Sequence, residues 1–217
     1  MSINRDPKWL VFLSRRMSWL AIPNIAVGFA VVQILGFFLV FSQPLWFERL
    51  VLIPDAVWQG EIWRLVSFVA IPLSMSLLGF IFAVAFSFFI LNSIENEWGA
   101  FKTTLYVLVS IVVTALFSMI FDFPILDITG LASTFFLAAA ALFPEQEIQI
   151  YFLIPVKMKF LGWLALAFLA FKLFQGSWFD RLFLLAIYSN YLLFFGPTLL
   201  YRIKEWKRRR DFKANWR

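Results

Sequence analysis

The sequence contains neither cysteine nor histidine. Without cysteine there are no disulfides and no thiolate metal sites. Without histidine, any mechanism that uses imidazole as a general base or as a metal ligand is excluded. We therefore expect no metal site, no cofactor and no chemistry that depends on either residue.

Charge is scarce as well. Charged residues make up 15% of the chain and hydrophobic residues 62%, whereas soluble domains have about 25% charged and about 45–50% apolar residues. A chain this apolar is best solvated by lipid, where the backbone must satisfy its hydrogen bonds within each segment. The composition predicts an all-α fold, a polytopic membrane helical bundle.

Charge-free stretches predict six transmembrane helices, because about 20 apolar residues span a bilayer. The fifth is short and has Lys172 near its end, from where the side chain can snorkel to the headgroups. The fourth is also short and rich in small residues, which predicts a central helix packed closely against its neighbours; a re-entrant or tilted segment is the alternative. The predicted spans are 22–42, 72–92, 102–121, 128–143, 159–175 and 182–201.

The basic residues predict the orientation. With six spans, one side of the membrane carries fifteen of the 19 Lys and Arg residues, and both termini lie on that side. Cytoplasmic loops carry the excess of Lys and Arg, so both termini are expected in the cytoplasm, in a membrane of the bacterial inner (plasma) membrane type. The expected organisation is an N-terminal interfacial helix (1–20), a membrane domain (21–201) and a basic cytoplasmic tail (202–217).

Three segments outside the spans have their own patterns. Residues 8–20 place apolar side chains, among them Trp9 and Phe12, on one helical face, as in a helix that lies on the inner leaflet. The first loop, 43–71, is rich in aromatic residues and is expected to lie partly in the outer leaflet. The tail either sets topology alone or contacts anionic lipid, an acidic partner or RNA. Among these possible partners, we do not expect a nucleic acid. Its contact candidates are Lys207, Arg208, Arg209 and Arg210.

Short motifs along residues 20–200 resemble the rhomboid superfamily. Residues 60–64 read GEIWR, similar to the Trp-Arg motif that precedes the second helix of rhomboids and derlins, and here it contains Trp63 and Arg64. Residues 95–99 read ENEWG, like the Glu and Gly that open the rhomboid third helix. Gly130 to Ser133 read GLAS, where active rhomboid proteases carry Gly-x-Ser-Gly, and 143–144 and 154–159 resemble the connection into the fifth helix. The resemblance implies a rhomboid-like fold.

The departures from the family pattern imply that the chain is not an enzyme. Ala132 stands at the position of the nucleophile, and Ser133 follows one residue later, turned by about 100° around the helix. The sixth helix has Asn190 but no histidine base. Counting without gaps from Trp63-Arg64, the positions that stabilise the oxyanion in rhomboids are Leu77 and Ile81, which cannot donate a hydrogen bond. The chain therefore resembles a rhomboid pseudoprotease, and it is derlin-like in the sense that the catalytic residues are missing.

Most of these polar residues also have a structural interpretation. Asn190 is expected to make an interhelical hydrogen bond, or else to bind a client. Arg64 is expected to bond carbonyls of the first loop while Trp63 anchors it among the headgroups. Glu95, close to Gly99, is expected to bond backbone at a helix junction, and the Ser133 hydroxyl to bond backbone or a neighbour.

By resemblance, the chain is expected to bind transmembrane segments or membrane proteins for quality control, delivery or assembly, with an AAA protease or a membrane complex as a partner. The alternative is a structural or assembly subunit of a larger membrane complex. Ion-coupled transport is disfavoured, because no ionisable residue falls in mid-membrane in the predicted spans.

Overall fold

The computed structural model describes residues 8–150 and 154–215, with side chains described for 9–147 and 156–196. Ten helices and one hairpin lie in these ranges, and short 3₁₀ turns occupy Ser18–Leu20 and Phe68–Ala70. In chain order the elements are α1 (Lys8–Arg16), α2 (Ile25–Ser42), α3 (Leu45–Leu50), α4 (Pro54–Trp58), α5 (Arg64–Ser67), α6 (Leu77–Trp98), α7 (Ala100–Phe121), α8 (Thr129–Leu142), β1 (Glu147–Ile150), β2 (Ile154–Lys157), α9 (Met158–Gln175) and α10 (Trp178–Asn215).

Four of the described helices, α2, α6, α7 and α9, are long and apolar enough to cross a membrane. A fifth apolar helix, α8, is shorter. The chain is therefore an integral membrane protein with an α-helical bundle. The helices predicted at 22–42, 102–121, 128–143 and 159–175 are confirmed to within a few residues, and the segment predicted at 182–201 lies inside α10. That α8 and α10 also cross the membrane stays a prediction.

The helix predicted at 72–92 instead runs from Leu77 to Trp98. Its start is delayed because α2 holds the preceding segment in a non-helical conformation. The Gln33 side chain donates to the carbonyls of Val69 (2.6 Å) and Ile71 (3.0 Å) and accepts from the Leu73 amide (3.2 Å). A side chain at Gly36 would place its Cβ 1.7 Å from the Ala70 carbonyl oxygen, so only glycine permits this approach.

The short helix α8 lies at the centre of the bundle, as its small residues predict. It packs against α6, α7, α9 and α10. Its contact with α9 is close, because a Cβ at Gly162 would come within 2.9 Å of the Ala140 Cβ. Leu131, Phe135 and Ala138 are buried in the core that α8 shares with α2, α6 and α7.

The first loop folds back onto the bundle through three short helices, α3, α4 and α5. Leu52 in this loop pairs with Ile125, between α7 and α8, through two backbone hydrogen bonds. Inward-facing residues of the first loop, such as Val51 and Val57, are buried, whereas Trp58 and Trp63 of the same loop are exposed. An apolar exposed side on a packed loop is the arrangement expected of a loop that lies partly in lipid.

The described residues are mostly helical, in agreement with the predicted all-α membrane bundle. β1 and β2 add one small antiparallel hairpin between α8 and α9. The first helix ends at Arg16 rather than Leu20, and its buried residue is Leu10, while Phe12 is 61% exposed. Residues 202–215 continue α10 as one helix, and their role as a basic cytoplasmic tail stays a prediction. The side chains of Lys207 to Arg210 lie outside those that the structure describes.

Candidate functional site

Ser133 connects α8 to α10 through its hydroxyl. Its Oγ donates to the Gly130 carbonyl oxygen at 2.6 Å and lies 2.7 Å from the Tyr188 hydroxyl. A serine hydroxyl has one proton, so with that proton on Gly130 the oxygen accepts from Tyr188. Ser133 is thus engaged on both sides, and among the described side chains no base lies beside it. Its expected structural role, bonding backbone and a neighbour, is confirmed.

Asn190 makes the interhelical hydrogen bond that its position predicts. The side chain is 1% exposed. Its Nδ2 donates to the backbone carbonyl of Tyr106 (3.0 Å) and to the Ser110 hydroxyl (2.6 Å), which ties α10 to α7. Tyr106 in turn donates from its hydroxyl to the Thr134 carbonyl of α8 (2.9 Å). These side chains join α7, α8 and α10 in one polar network within the apolar core.

The structure does not bring Leu77 and Ile81 to this network. Both side chains are exposed, at 63% and 57%. Residues 68–76 form a 3₁₀ turn and an irregular segment, and both residues lie in the first two turns of α6, which begins after Ser76. Their correspondence to the oxyanion positions of rhomboids stays a prediction. Ala132 is half-buried beside the serine on α8.

Arg64 holds the first loop together, as predicted. The buried guanidinium donates from Nη1 to the carbonyls of Glu48 (2.5 Å) and Val51 (2.7 Å) and from Nε to the Glu61 carboxylate (2.5 Å). A buried charge is tolerated when it is paired and hydrogen-bonded in this way. Trp63 next to it is exposed, in keeping with an anchor at the headgroup level.

Glu95 and Gly99 form the predicted helix junction. The Glu95 carboxylate accepts from the backbone amide of Asn24 at 2.7 Å, so the end of α6 holds the start of α2. Gly99 connects α6 to α7 with φ of +79°, a left-handed conformation that glycine adopts without a steric penalty. Glu95 thus bonds backbone at the junction, as predicted, through one oxygen of its carboxylate.

A pocket of about 420 Å³ opens between the α7–α8 connection, the end of α9 and the start of α10. Its walls are mostly apolar, with Phe183 and Leu184 from α10, and its charged residues are Asp127, Lys172 and Asp180. Hydrogen bonds from the side chain and backbone of Ser177 hold the pKa of the Asp180 carboxyl below its ordinary value, with a smaller contribution from the Lys172 charge. The full lining is Phe123, Pro124, Ile125, Leu126, Asp127, Gly130, Lys172, Gln175, Gly176, Asp180, Phe183 and Leu184.

Sequence reasoning singled out Gly130 but missed this pocket and Tyr188. Asp127 is far from Lys172 and Asp180 in the chain, and only the packing of the α7–α8 connection against the α9–α10 turn brings the three together. Tyr188 carries a weak signal, a hydroxyl in an apolar helix, that does not identify Ser133 as its partner. The arrangement supports binding. Among the described residues, no group of three or more acidic side chains is placed to hold a metal ion.

The resemblance to rhomboids rests on the order of the short motifs along the chain. No protein-family model matches the chain, and no curated protein or solved structure is significantly similar to it.

Proposed function

We propose that the chain is a non-catalytic, rhomboid-like membrane protein with six spans that binds transmembrane segments of other membrane proteins. Such binding serves quality control, delivery or assembly of those clients. Both termini lie in the cytoplasm, and the membrane is of the bacterial inner-membrane type. The division of basic residues between the two sides supports this orientation.

The observation that carries the proposal is the length of the central helix. With 14 residues, α8 is about 21 Å long at ~1.5 Å per residue, whereas the hydrocarbon core of a bilayer is about 30 Å thick. A bundle built around such a short central helix is expected to thin the bilayer at its nearest flank, at a cost of fractions of a kcal/mol per ångström of mismatch. A client helix that is itself short or polar relieves this mismatch, so the bundle favours it over bulk lipid.

The flank that best suits a client is α9. Only 11% of its residues are buried, compared with 33%, 28% and 39% in the other three candidate spans. Trp163, Phe168 and Phe171 are exposed. This helix presents a broad apolar and aromatic face directly beside the short α8.

The absence of catalysis is supported by the surroundings of Ser133. Nucleophilic serine needs a base within hydrogen-bond reach, and here its neighbours are the Gly130 carbonyl and the Tyr188 hydroxyl. A backbone carbonyl and a phenol in an apolar bundle cannot take up the serine proton at neutral pH. Binding without cleavage is the outcome that this geometry favours.

The proposal is tested by resonance energy transfer in liposomes. The chain has no cysteine, so one introduced at Gln59 carries a single dye. It is mixed with labelled single-span peptides whose apolar segments match α8 or reach about 20 residues. We expect the short peptide to associate more tightly, with a preference that grows in thicker bilayers. Equal association of both peptides at every thickness would contradict the mismatch mechanism.

Variants with matched exposure locate the client. Phe171→Ala on α9 should weaken association about threefold to tenfold, the loss of one aromatic contact. Phe38→Ala, at an exposed aromatic residue on α2, should leave the association unchanged.

Purification in mild detergent distinguishes the alternative function. One stoichiometric set of partners indicates a subunit of a fixed complex, whereas mixed single-span proteins indicate a client binder.

A further inference from the structure

The pocket between α8, α9 and α10 carries charges of both signs at its rim. Lys172 comes from the last turn of α9, Asp180 from the first turn of α10, and Asp127 from the segment before α8. Its volume of about 420 Å³ lies within the range of small-ligand sites, roughly 300–1,000 Å³. A ligand that fills it must therefore be small, and it must offer charge to both kinds of group.

The charged groups of the pocket can make further hydrogen bonds or ion pairs with a ligand. Lys172 Nζ lies 5.2 Å from the centroid of the Phe168 ring and makes no ion pair with the described residues. Asp127 accepts the Thr129 amide on Oδ1, and Asp180 accepts from Ser177 on Oδ2. The second oxygen of each carboxylate has no hydrogen bond within the described part of the chain. One cationic donor and two carboxylate acceptors thus face the pocket.

The position of the pocket indicates where its ligand comes from. Lys172 and Asp180 lie at helix ends and Asp127 lies in the α7–α8 connection, so all three are at or just outside the ends of the apolar spans. At this depth, ionised side chains meet lipid headgroups rather than acyl chains. Beside these charged groups, Phe183 and Leu184 of α10 form an apolar wall of the pocket. A molecule with a charged head and an apolar body meets both regions at once.

We propose that this pocket binds the headgroup of a phospholipid with a primary amine, phosphoethanolamine. Its phosphate pairs with Lys172, its ammonium donates to Asp127 and Asp180, and its chains follow the apolar wall. A primary ammonium has three N–H donors, enough for both carboxylates. A trimethylammonium has no N–H, and a phosphoglycerol headgroup has no cation to offset the second carboxylate.

Native mass spectrometry of the purified full chain tests the assignment. The probes are short-chain phosphatidylethanolamine, phosphatidylcholine and phosphatidylglycerol, each titrated separately. We expect the ethanolamine lipid to bind about tenfold more tightly than the other two, which corresponds to the loss of one charge-assisted contact. Equal affinity for the three lipids would mean an annular lipid only and would overturn the proposal.

Variants that each remove one charge from the pocket test the assignment, and removal of a charge elsewhere on the α7–α8 connection is the control. Asp127→Asn keeps the oxygen that accepts from Thr129, and Lys172→Gln removes only the cation; each should lower ethanolamine-lipid affinity about tenfold. Asp122→Asn removes an equal charge outside the pocket, at a left-handed position (φ 50°) that asparagine tolerates, and should change nothing. An identical response of Asp122→Asn and Asp127→Asn would also overturn the proposal.

This assignment does not rest on client binding, and the two fail separately. A variant such as Asp127→Asn that loses the ethanolamine lipid should still associate with the short single-span peptide. If instead Asp127→Asn abolishes peptide association and the three lipids bind alike, the pocket receives a basic residue of the client, and the lipid assignment is wrong.

Discussion

Packing at Gly130 offers a direct test of the central position of α8. A Cβ at this residue would lie 2.8 Å from Ile187 Cδ1 and 3.9 Å from Phe183 Cε1. Gly130→Leu adds a whole side chain at this contact and should destabilise the protein by about 1–3 kcal/mol through overpacking. The assay is unfolding in detergent, by heat or denaturant.

A double-mutant cycle isolates the contact. Ile187→Val removes the atom that a new Cβ at Gly130 would meet, and on its own it should cost about 0.5–1.5 kcal/mol. Gly130→Ala should be destabilising alone but close to neutral in the Ile187→Val background, a coupling of about 0.5–3 kcal/mol between contacting residues. Gly28→Ala is the matched control, because Gly28 is a helical glycine at which a new Cβ would have nothing within 4 Å. Additive effects in the cycle, or a harmless Gly130→Leu, would refute the close approach of α8 to α10.

Three further predictions test catalysis, the first loop and topology. Ala132→Ser should fold normally yet neither cleave transmembrane substrates nor react with fluorophosphonates, since no base is present; labelling that depends on the new serine would contradict this. Arg64→Met should cost at least about 1.5–3 kcal/mol by removing charged hydrogen bonds, seen as faster proteolysis within the first loop at unchanged helicity. Single cysteines at Ser2, Asn215 and Gln59 should react with an impermeant thiol reagent in intact cells only at position 59; the reverse pattern would invert the orientation.

Helix positions were predictable because they depend on local composition. The predicted fourth span, 128–143, and the helix Thr129–Leu142 agree closely. Charged residues on either side define the ends of this helix, and its small residues indicate close packing against other helices. The second span shows the limit of this reasoning. Its apolar run begins before the helix does, and the residues that delay the start, Gln33 and Gly36, belong to a different helix.

The roles of single polar residues were predictable where one partner class was available. Arg64 sits among loop carbonyls, and Asn190 lies mid-helix, where another helix is the sole source of hydrogen bonds. The oxyanion positions Leu77 and Ile81 rest on a count along the sequence, and their exposure in the first turns of α6 does not decide that assignment. The hairpin of β1 and β2 was missed because strands of four residues are too short to stand out between two apolar helices.

The sequence by itself determined that this is an integral membrane protein, where its long helices lie and that imidazole and thiolate chemistry are excluded. Those properties follow from composition and from the need of each lipid-exposed segment to satisfy its own backbone. The tertiary structure alone decided that Ser133 meets Tyr188 and that Lys172, Asp127 and Asp180 surround one pocket. Such pairings depend on the relative height and rotation of packed helices, which small residues such as Gly130 and Gly162 set through contacts between distant parts of the chain.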